Sequence, residues 1–430
     1  MFSKQTIYDY DIGGKKVLVR ADYNVPLDKE GKITSNFRIK QSIPTLNALI
    51  DKGCKIVICS HLGRPKGPDD KSCSLKPVAK ELSKLLKKDI VFVSDCVGDN
   101  VRKATSEMSP GDIVLLENVR FHPEEEKNDE DFARGIIAST GAEVFVQDGF
   151  GVVHRAHATT DAIARQLPAL AGLLLEREVD TITNVMQDPK RPLLAIIGGA
   201  KIADKIEIIY KFIDIADGLV IGGAMANTFL KAQGVRVGES LVDDDDLDTA
   251  RDIMKRVRSV MKERNFTFYL PQDGVVSTEI DNKTKTRIVD WDTHDIAEIE
   301  AYPAKPKADS MKVKANEKIL DIGPYSGAFI SGIIQTMSTV VWNGTMGVSE
   351  LDALHGSIGP FAHGTEAVID ALLGKYGNIP FSLIGGGDTS GYIEDRKLTD
   401  MFSHVSTGGG ASLELMAGKE LPGVAVLWNK

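Results

Sequence analysis

The segment KIVICSHLGRPKG, Lys55–Gly67, runs from an apolar stretch into His61, Arg64 and Lys66. An apolar strand that ends on cations suits an open parallel sheet, whose ligands sit beyond the carboxyl ends of the strands. The pattern recurs. Asp22 and Asn24 follow KVLVR, with Arg38 shortly after; Arg120 and His122 follow DIVLLEN; His154, Arg155 and His157 follow AEVFVQDGFG. The planar fork of arginine matches phosphate and carboxylate oxygens, and Asp22 with Asn24 can hold a hydroxyl. One such arginine is ordinarily a surface ion pair. Cations on separate strand-end segments point together to a small anionic ligand.

The second half offers glycine instead. IGGAK, IGGAM, DIGP, WNGTMG, IGGGDTSG and STGGGAS each fall at an expected strand end or helix start. Glycine lets main-chain N–H groups approach phosphate oxygens, and helix N-termini add a favourable dipole. Tight packing alone would explain one glycine pair; six such segments in one half indicate a nucleotide site. There is no G-x-x-x-x-G-K-[ST] string, and GGGDTSG lacks the dinucleotide spacing. Lys201 and Lys205 are spaced i, i+4 and are expected on one face of a helix's first turns, where cations call for a compensating anion. Asp388, in GGGDT, is either a helix cap or a carboxylate for magnesium carrying nucleotide phosphates.

The elements that must position these residues are short Val/Ile/Leu runs alternating with amphipathic stretches. Strands are expected in KKVLVRADYN, KIVICSHLG, DIVFVSD, DIVLLENVRF and AEVFVQDGFG, then in LLAIIGGAK, GLVIGGAM, FTFYLPQD, KILDIGP, STVVWNG and PFSLIGGG. Helices are expected at PVAKELSKLLKK, DTARDIMKRVRSVMKER and GTEAVIDALLGKYG. The fold class is therefore α/β, with parallel sheets covered by helices. At 430 residues the chain exceeds one compact core. GLLLEREVDTITNVMQ reads as a connecting helix and DPKRP as its breaker, giving domains 1–175 and 193–415 joined by 176–192.

Bulk properties narrow the partners. A net charge of −9 makes nucleic acid a poor default. Cys54, Cys59, Cys73 and Cys96 show no zinc spacing and suggest a reduced setting, with Cys59 packing as a small hydrophobe. The run Asp243–Asp246 reads as favourable charge before a helix, and Glu124–Glu126 as solvated. Neither a signal peptide nor a membrane-length apolar run is evident, so a soluble, cytoplasmic protein is expected. A small anion on one domain and a nucleotide on the other suggest phosphoryl transfer across a closing cleft. A histidine phosphoryl carrier, a dinucleotide dehydrogenase and a two-lobed solute-binding protein are the alternatives.

Taken in order, RADYNVP, SHLGRP, LLENVRFHPEEE and DGFGVVHRAHAT, then GGAKIADKI, GGAMANTF, DIGP, WNGTMGVSE, GGGDT and HVSTGGGASLEL resemble the phosphoglycerate kinase family from end to end. That resemblance implies two doubly wound parallel-sheet domains with a helix hinge, a first domain for 3-phosphoglycerate and 1,3-bisphosphoglycerate, a second for ATP or ADP with Mg2+, and residues 416–430 returning to the first. It also implies a monomer that bends at its hinge. Asp22, Tyr23, Asn24, Arg38, His61, Leu62, Gly63, Arg64, Arg120 and Arg155 would hold the glycerate compound. Lys205, Gly323, Asn343, Glu350, Gly386, Gly387, Asp388 and Thr389 would hold the nucleotide, Asp388 serving the metal. Arg38, Lys201, Lys205, Gly387 and Gly409 would meet the moving phosphoryl group. Thr345 and Ser349 depart from the family pattern, where proline and an aromatic residue are usual; Tyr325 lies where the family varies, and Val152 and Val153 stand where small residues are frequent.

Overall fold

Strands buried on both faces read as continuous apolar runs, and the central strands here do so. The computed structural model describes residues 2–67, 70–291, 312–351, 353, 356 and 358–430. Two compact units form, one from Met1–Asn184 with Thr407–Lys430, the other from Val185–Ser406. The first unit holds β1 (Lys16–Arg20), β2 (Lys55–Cys59), β3 (Ile90–Val93), β4 (Ile113–Leu116), β5 (Val144–Gln147) and β6 (Ala169–Ala171). They pair in parallel in the order β3-β4-β2-β1-β5-β6. The order reverses beside β1, which makes its carboxyl end a switch point.

Register then fixes what meets there. Arg20 pairs with both Cys59 and Gln147, so the segments after β1, β2 and β5 leave the sheet level with one another. Val17, Val19, Ile56, Ile58, Val144 and Val146 pack one face against Ile39, Leu46, Val78 and Leu82 of the helices Phe37–Asp51 and Lys76–Leu86. Cys59 is fully buried, packing as a small hydrophobe.

In the second unit β7 (Leu193–Ile197), β8 (Gly218–Ile221) and β9 (Thr267–Tyr269) join β13 (Thr339–Asn343), β14 (Phe381–Gly385) and β15 (His404–Val405), all parallel, in the order β15-β14-β13-β7-β8-β9. Asn343 pairs with Ile197 and with Gly385, so three glycine turns start at one level. A separate antiparallel sheet, β11-β10-β12, is made of β10 (Asp273–Ser277), β11 (Arg287–Asp290) and β12 (Lys318–Ile322). KILDIGP therefore forms a strand, but in an antiparallel ribbon rather than a parallel sheet. Val276, Val289 and Val313 give that ribbon its own small core.

The helix Leu173–Gln187 occupies the expected connector. The contact-defined divisions fall after Asn184 and after Ser406, whereas the sequence boundaries are 175, 192 and 415. Residues 407–415, expected with the nucleotide side, join the first unit. There the buried Glu178 carboxylate accepts from the Thr407 N–H and hydroxyl at 2.6 and 2.7 Å. The tail continues along the same unit, with Gly423 N–H donating to Val153 O at 2.9 Å and Trp428 N–H to Ala169 O at 3.0 Å. Among the described residues no helix is long and apolar enough to cross a membrane.

Asp148 ties three of these elements together. Its Oδ1 accepts from the Thr45 hydroxyl at 2.9 Å and from the N–H groups of Leu174 and Leu175 at 3.0 and 3.4 Å, while Oδ2 is buried with no partner. Burial pushes this carboxyl up to about 7, against the pull of those donors. In the unfolded chain it titrates near ~3.9. Between these values the folded chain keeps a proton that the unfolded chain has lost, so stability falls as pH rises through the window and levels off above it. Asp148→Asn is expected to remove that slope. Its deficit in urea unfolding at about pH 5 should shrink by about pH 8, by on the order of 1 kcal/mol or more. An equal deficit at both pH values would place the slope elsewhere.

Candidate functional site

In the first unit the level strand ends assemble a cradle. Arg38, on the helix Phe37–Asp51, donates from one Nη1 to the Asp22 carboxylate at 3.0 Å and to Asn24 O at 3.2 Å. Asn24 Oδ1 accepts from Gly63 N–H at 2.8 Å, and Gly63 O accepts from Arg120 Nη1 at 2.9 Å. Asn118 fixes that loop by donating to Leu62 O and Cys73 O, and its own Oδ1 accepts from Arg120 N–H. The guanidiniums of Arg20, Arg38 and Arg120 all bear on His61, and those of Arg20, Arg120 and Arg155 on His157, so these groups share one field.

Arg20 is the buried centre of that field, 1% exposed. Its Nε donates to the Thr159 hydroxyl at 2.8 Å, which donates in turn to Glu125 Oε1 at 2.6 Å. Glu125 is fully buried and lies 4.0 Å from the Arg20 guanidinium. It is not one of three solvated glutamates. Only Glu124 and Glu126 are exposed, because Glu125 turns inward to balance Arg20 and to accept from Thr159 N–H. Burial, reinforced by Arg20, Arg120 and Arg38, holds His61 well below its usual range. Burial and the same kind of neighbours lower His157 to about 4. Both rings are neutral near pH 7, leaving the positive charge to the arginines.

The second unit builds its site from main chain. A Cβ on Gly198 would stand 2.2 Å from Thr345 O, and one on Gly344, whose φ is +97°, would stand 2.3 Å from Gly198 C. Glycine is required at both places. Lys205 Nζ donates to Gly198 O, Asn343 Oδ1 and Asn343 O at 2.6, 2.7 and 3.2 Å, so each of its three protons is placed. Burial lowers this ammonium to about 8, opposed by Asp388 and Asp204. Asn343 Nδ2 is buried without an acceptor, beside Gly386. The helix Gly387–Asp395 begins there, and its first-turn N–H groups have no intrahelical partner.

Next to this edge is a cavity of about 450 Å³. Leu230, Leu241, Trp291, Met346 and Val348 give it apolar walls, and Gly199, Asn227, Thr345, Glu350 and Asp388 line it as well. A largely apolar hollow with a few polar groups is the usual form of a small-molecule site. Asp388 is exposed in the first helical turn and caps nothing. One such carboxylate together with nucleotide oxygens and water is a ligand set Mg2+ accepts, so the residues fit that ion.

Residues 7–419 match the family model described as Phosphoglycerate kinase. The chain belongs to the phosphoglycerate kinase family. The phosphoglycerate kinases of Moorella thermoacetica and Pelotomaculum thermopropionicum are each 43% identical to it over 428 residues, covering the whole of both chains. Among solved structures, phosphoglycerate kinase from Coxiella burnetii is 34% identical with a TM-score of 0.78, covering 98% of each chain. The Pyrococcus horikoshii enzyme is 28% identical with the same TM-score, over 99% of this chain and 98% of its own.

Of the residues the phosphoglycerate kinase resemblance singles out, Asp22, Asn24, Arg38, His61, Gly63, Arg120 and Arg155 come together in the cradle. Arg64 stands exposed on the same loop. Tyr23 is fully buried with its phenol bonded to the Ser42 hydroxyl at 2.9 Å, and Leu62 packs in the core, so neither side chain faces a ligand. His122 turns to Asp95. Lys205, Asn343, Gly386, Gly387, Asp388 and Thr389 share the glycine edge, where the Thr389 hydroxyl accepts from Gly344 N–H at 2.8 Å. Glu350 lines the cavity, whereas Gly323 caps the helix Pro324–Gln335 and lines a different hollow. Lys201 and Lys205 do not share a helical face. The helix starts only at Ile206, after turns in which Lys205 N–H donates to Ile202 O, and Lys201 is exposed in the loop. Gly409 caps the short helix Gly410–Met416 in the first unit.

Arg20, Asn118 and Thr159 were not among the expected residues. An arginine closing the apolar run KVLVR was a usable signal for the first; the other two act only through tertiary contacts. Arg20→Met leaves Glu125 buried and uncompensated, and is expected to cost about 3–5 kcal/mol in urea unfolding. Adding Glu125→Gln should recover part of that loss. If the double variant is no more stable than the single one, the two charges are not a compensating pair.

Proposed function

We propose that the chain catalyses reversible, magnesium-dependent phosphoryl transfer between 1,3-bisphosphoglycerate and ADP, giving 3-phosphoglycerate and ATP, in glycolysis and gluconeogenesis. The observation that carries this reading is the division of labour between units. The first has an arginine cradle around Asp22 and Asn24; the second has a glycine edge with a buried lysine beside an apolar cavity.

In this reading Arg38, Arg64, Arg120 and Arg155 bind the phosphate and carboxylate oxygens of the glycerate compound, with Asp22 and Asn24 on its hydroxyl. Neutral His61 contributes a hydrogen bond. The cavity takes the adenosine part, with Glu350 on the ribose, and the Gly387–Thr389 N–H groups meet the phosphates. Asp388 would hold Mg2+, which supplies neutralisation of phosphate charge when bound. The two reactants are brought in line as the units close on their ligands. The bond between phosphorus and the acyl oxygen breaks as a β-phosphate oxygen of ADP bonds to phosphorus, and the glycerate leaves as its carboxylate. Arg38, Lys201, Lys205 and the main-chain N–H groups of Gly387 and Gly409 stabilise the charge on the moving group. Such catalysis consists of alignment, charge stabilisation and exclusion of water. Four free cysteines support a reducing, cytoplasmic setting, and the family resemblance supports a monomer.

A coupled assay with purified protein, 3-phosphoglycerate and Mg-ATP tests the reaction; absence of turnover would overturn it. Inversion at a chiral phosphorus is expected for direct transfer, and retention would demand a phosphorylated intermediate. Arg38→Ala is expected to lower kcat by ~10³-fold or more, with little change in ADP affinity. A near-normal kcat would remove Arg38 from the chemistry.

Lys205 adds a pH signature. Its ammonium is charged below about 8 and loses its proton above. Phosphate bound near it favours the charged form, so nucleotide binding at about pH 9 is expected to take up a proton. Calorimetry in buffers of different ionisation enthalpy reads that uptake, and Lys205→Met should abolish it.

A further inference from the structure

Away from both sites, one cluster combines three kinds of metal-binding atom. Asp95 and Cys96 follow β3 and His122 follows β4, its parallel neighbour, so the two loops leave the same end of the sheet side by side. One carboxylate oxygen, the thiol sulfur and one imidazole nitrogen lie within 4.8 Å of one another. Among the described residues no other group of three His, Cys, Asp or Glu side chains meets so closely.

The cluster is half built from behind and half open in front. Cys96 is fully buried, its Sγ donating to Glu117 O at 3.0 Å. His122 Nε2 lies 3.0 Å from Asp95 Oδ1, which also accepts from Cys96 N–H at 2.6 Å. The His122 ring is steadied by Phe132, with centroids 4.8 Å apart. Asp95 is 46% exposed and His122 28%, so an ion can approach from solvent. The Asp95 carboxylate brings negative charge into the cluster itself, which favours a cation.

We propose that Asp95, Cys96 and His122 form a site for a borderline-soft divalent cation of the Zn2+ class, with water as the fourth ligand. Sulfur, nitrogen and oxygen donors at bonds of about 2.0–2.3 Å suit tetrahedral Zn2+. Hard Mg2+ and Ca2+, which want oxygen throughout, are rejected. Binding exchanges the hydrogen bond between His122 and Asp95 for two bonds to the ion. The Cys96 S–H bond breaks as sulfur bonds to the metal, and its proton goes to solvent, one per ion bound. The movement needed to close the site falls on the two exposed side chains. No short cysteine motif marks the site, because its members come from loops after neighbouring strands.

Co2+ serves as the probe. The full chain, stripped with a chelator and kept reduced, is expected to bind one equivalent with thiolate-to-cobalt charge-transfer absorption and tetrahedral d–d bands. One proton should be released, and Zn2+ should displace the colour while Mg2+ in excess should not. Cys96→Ser should lose the charge-transfer band. Because that substitution touches the core, His122→Gln provides the independent arm and should weaken Co2+ binding by more than about tenfold. The proposal is overturned if stoichiometric Co2+ gives no sulfur band. It is equally overturned if the band survives in Cys96→Ser, or if His122→Gln binds as tightly as the parent.

Discussion

Everything in the two sites depends on parallel strands that end at the same level. A parallel ladder sets its neighbours in register over their whole length, so the residues just beyond β1, β2 and β5 emerge together, as do those beyond β7, β13 and β14. A shift of one residue in either ladder would turn every side chain over and separate Asn24 from Gly63, or Gly198 from Gly344. The ligand-facing groups are thus placed by core packing some distance away from them.

The two edges are built from opposite chemistry. In the first unit fixed guanidinium charge dominates, and it is tolerated in the interior because Glu125 and Thr159 compensate Arg20. The histidines there stay neutral, which keeps the cradle from accumulating charge that nothing balances. In the second unit dipoles replace charges. Close backbone-to-backbone approaches at Gly198 and Gly344 leave no room for a Cβ, and Lys205 is held by carbonyl oxygens.

Much of this was legible in the sequence. The eleven apolar runs each contain a strand, and the helix Leu173–Gln187 and the three amphipathic helices stand where the pattern put them, because burial imposes a strong periodic signal. Asp22, Asn24 and Arg120 were visible as polar residues at apolar strand ends, and Arg38 as a cation shortly after the first. Apart from Arg20, which closes KVLVR, what escaped had no local mark. β6, β10, β11 and β15 are short or belong to the antiparallel ribbon, and Glu125 sits among two exposed glutamates. The i, i+4 spacing of Lys201 and Lys205 carries helical meaning only if a helix has begun, and the turns before Ile206 delay it. Cys96 and His122, far apart in the chain, meet only through the pairing of β3 with β4.

The return of Thr407–Lys430 to the first unit has a consequence for how the chain is made. Synthesis proceeds from the N-terminus, and domains tend to fold as they emerge. Val185–Ser406 is continuous, and all of it is synthesised before Thr407. The first unit, though begun earlier, lacks Thr407 for Glu178 and Trp428 for Ala169 until the whole second unit has been made. The half of the molecule made first is therefore the half finished last.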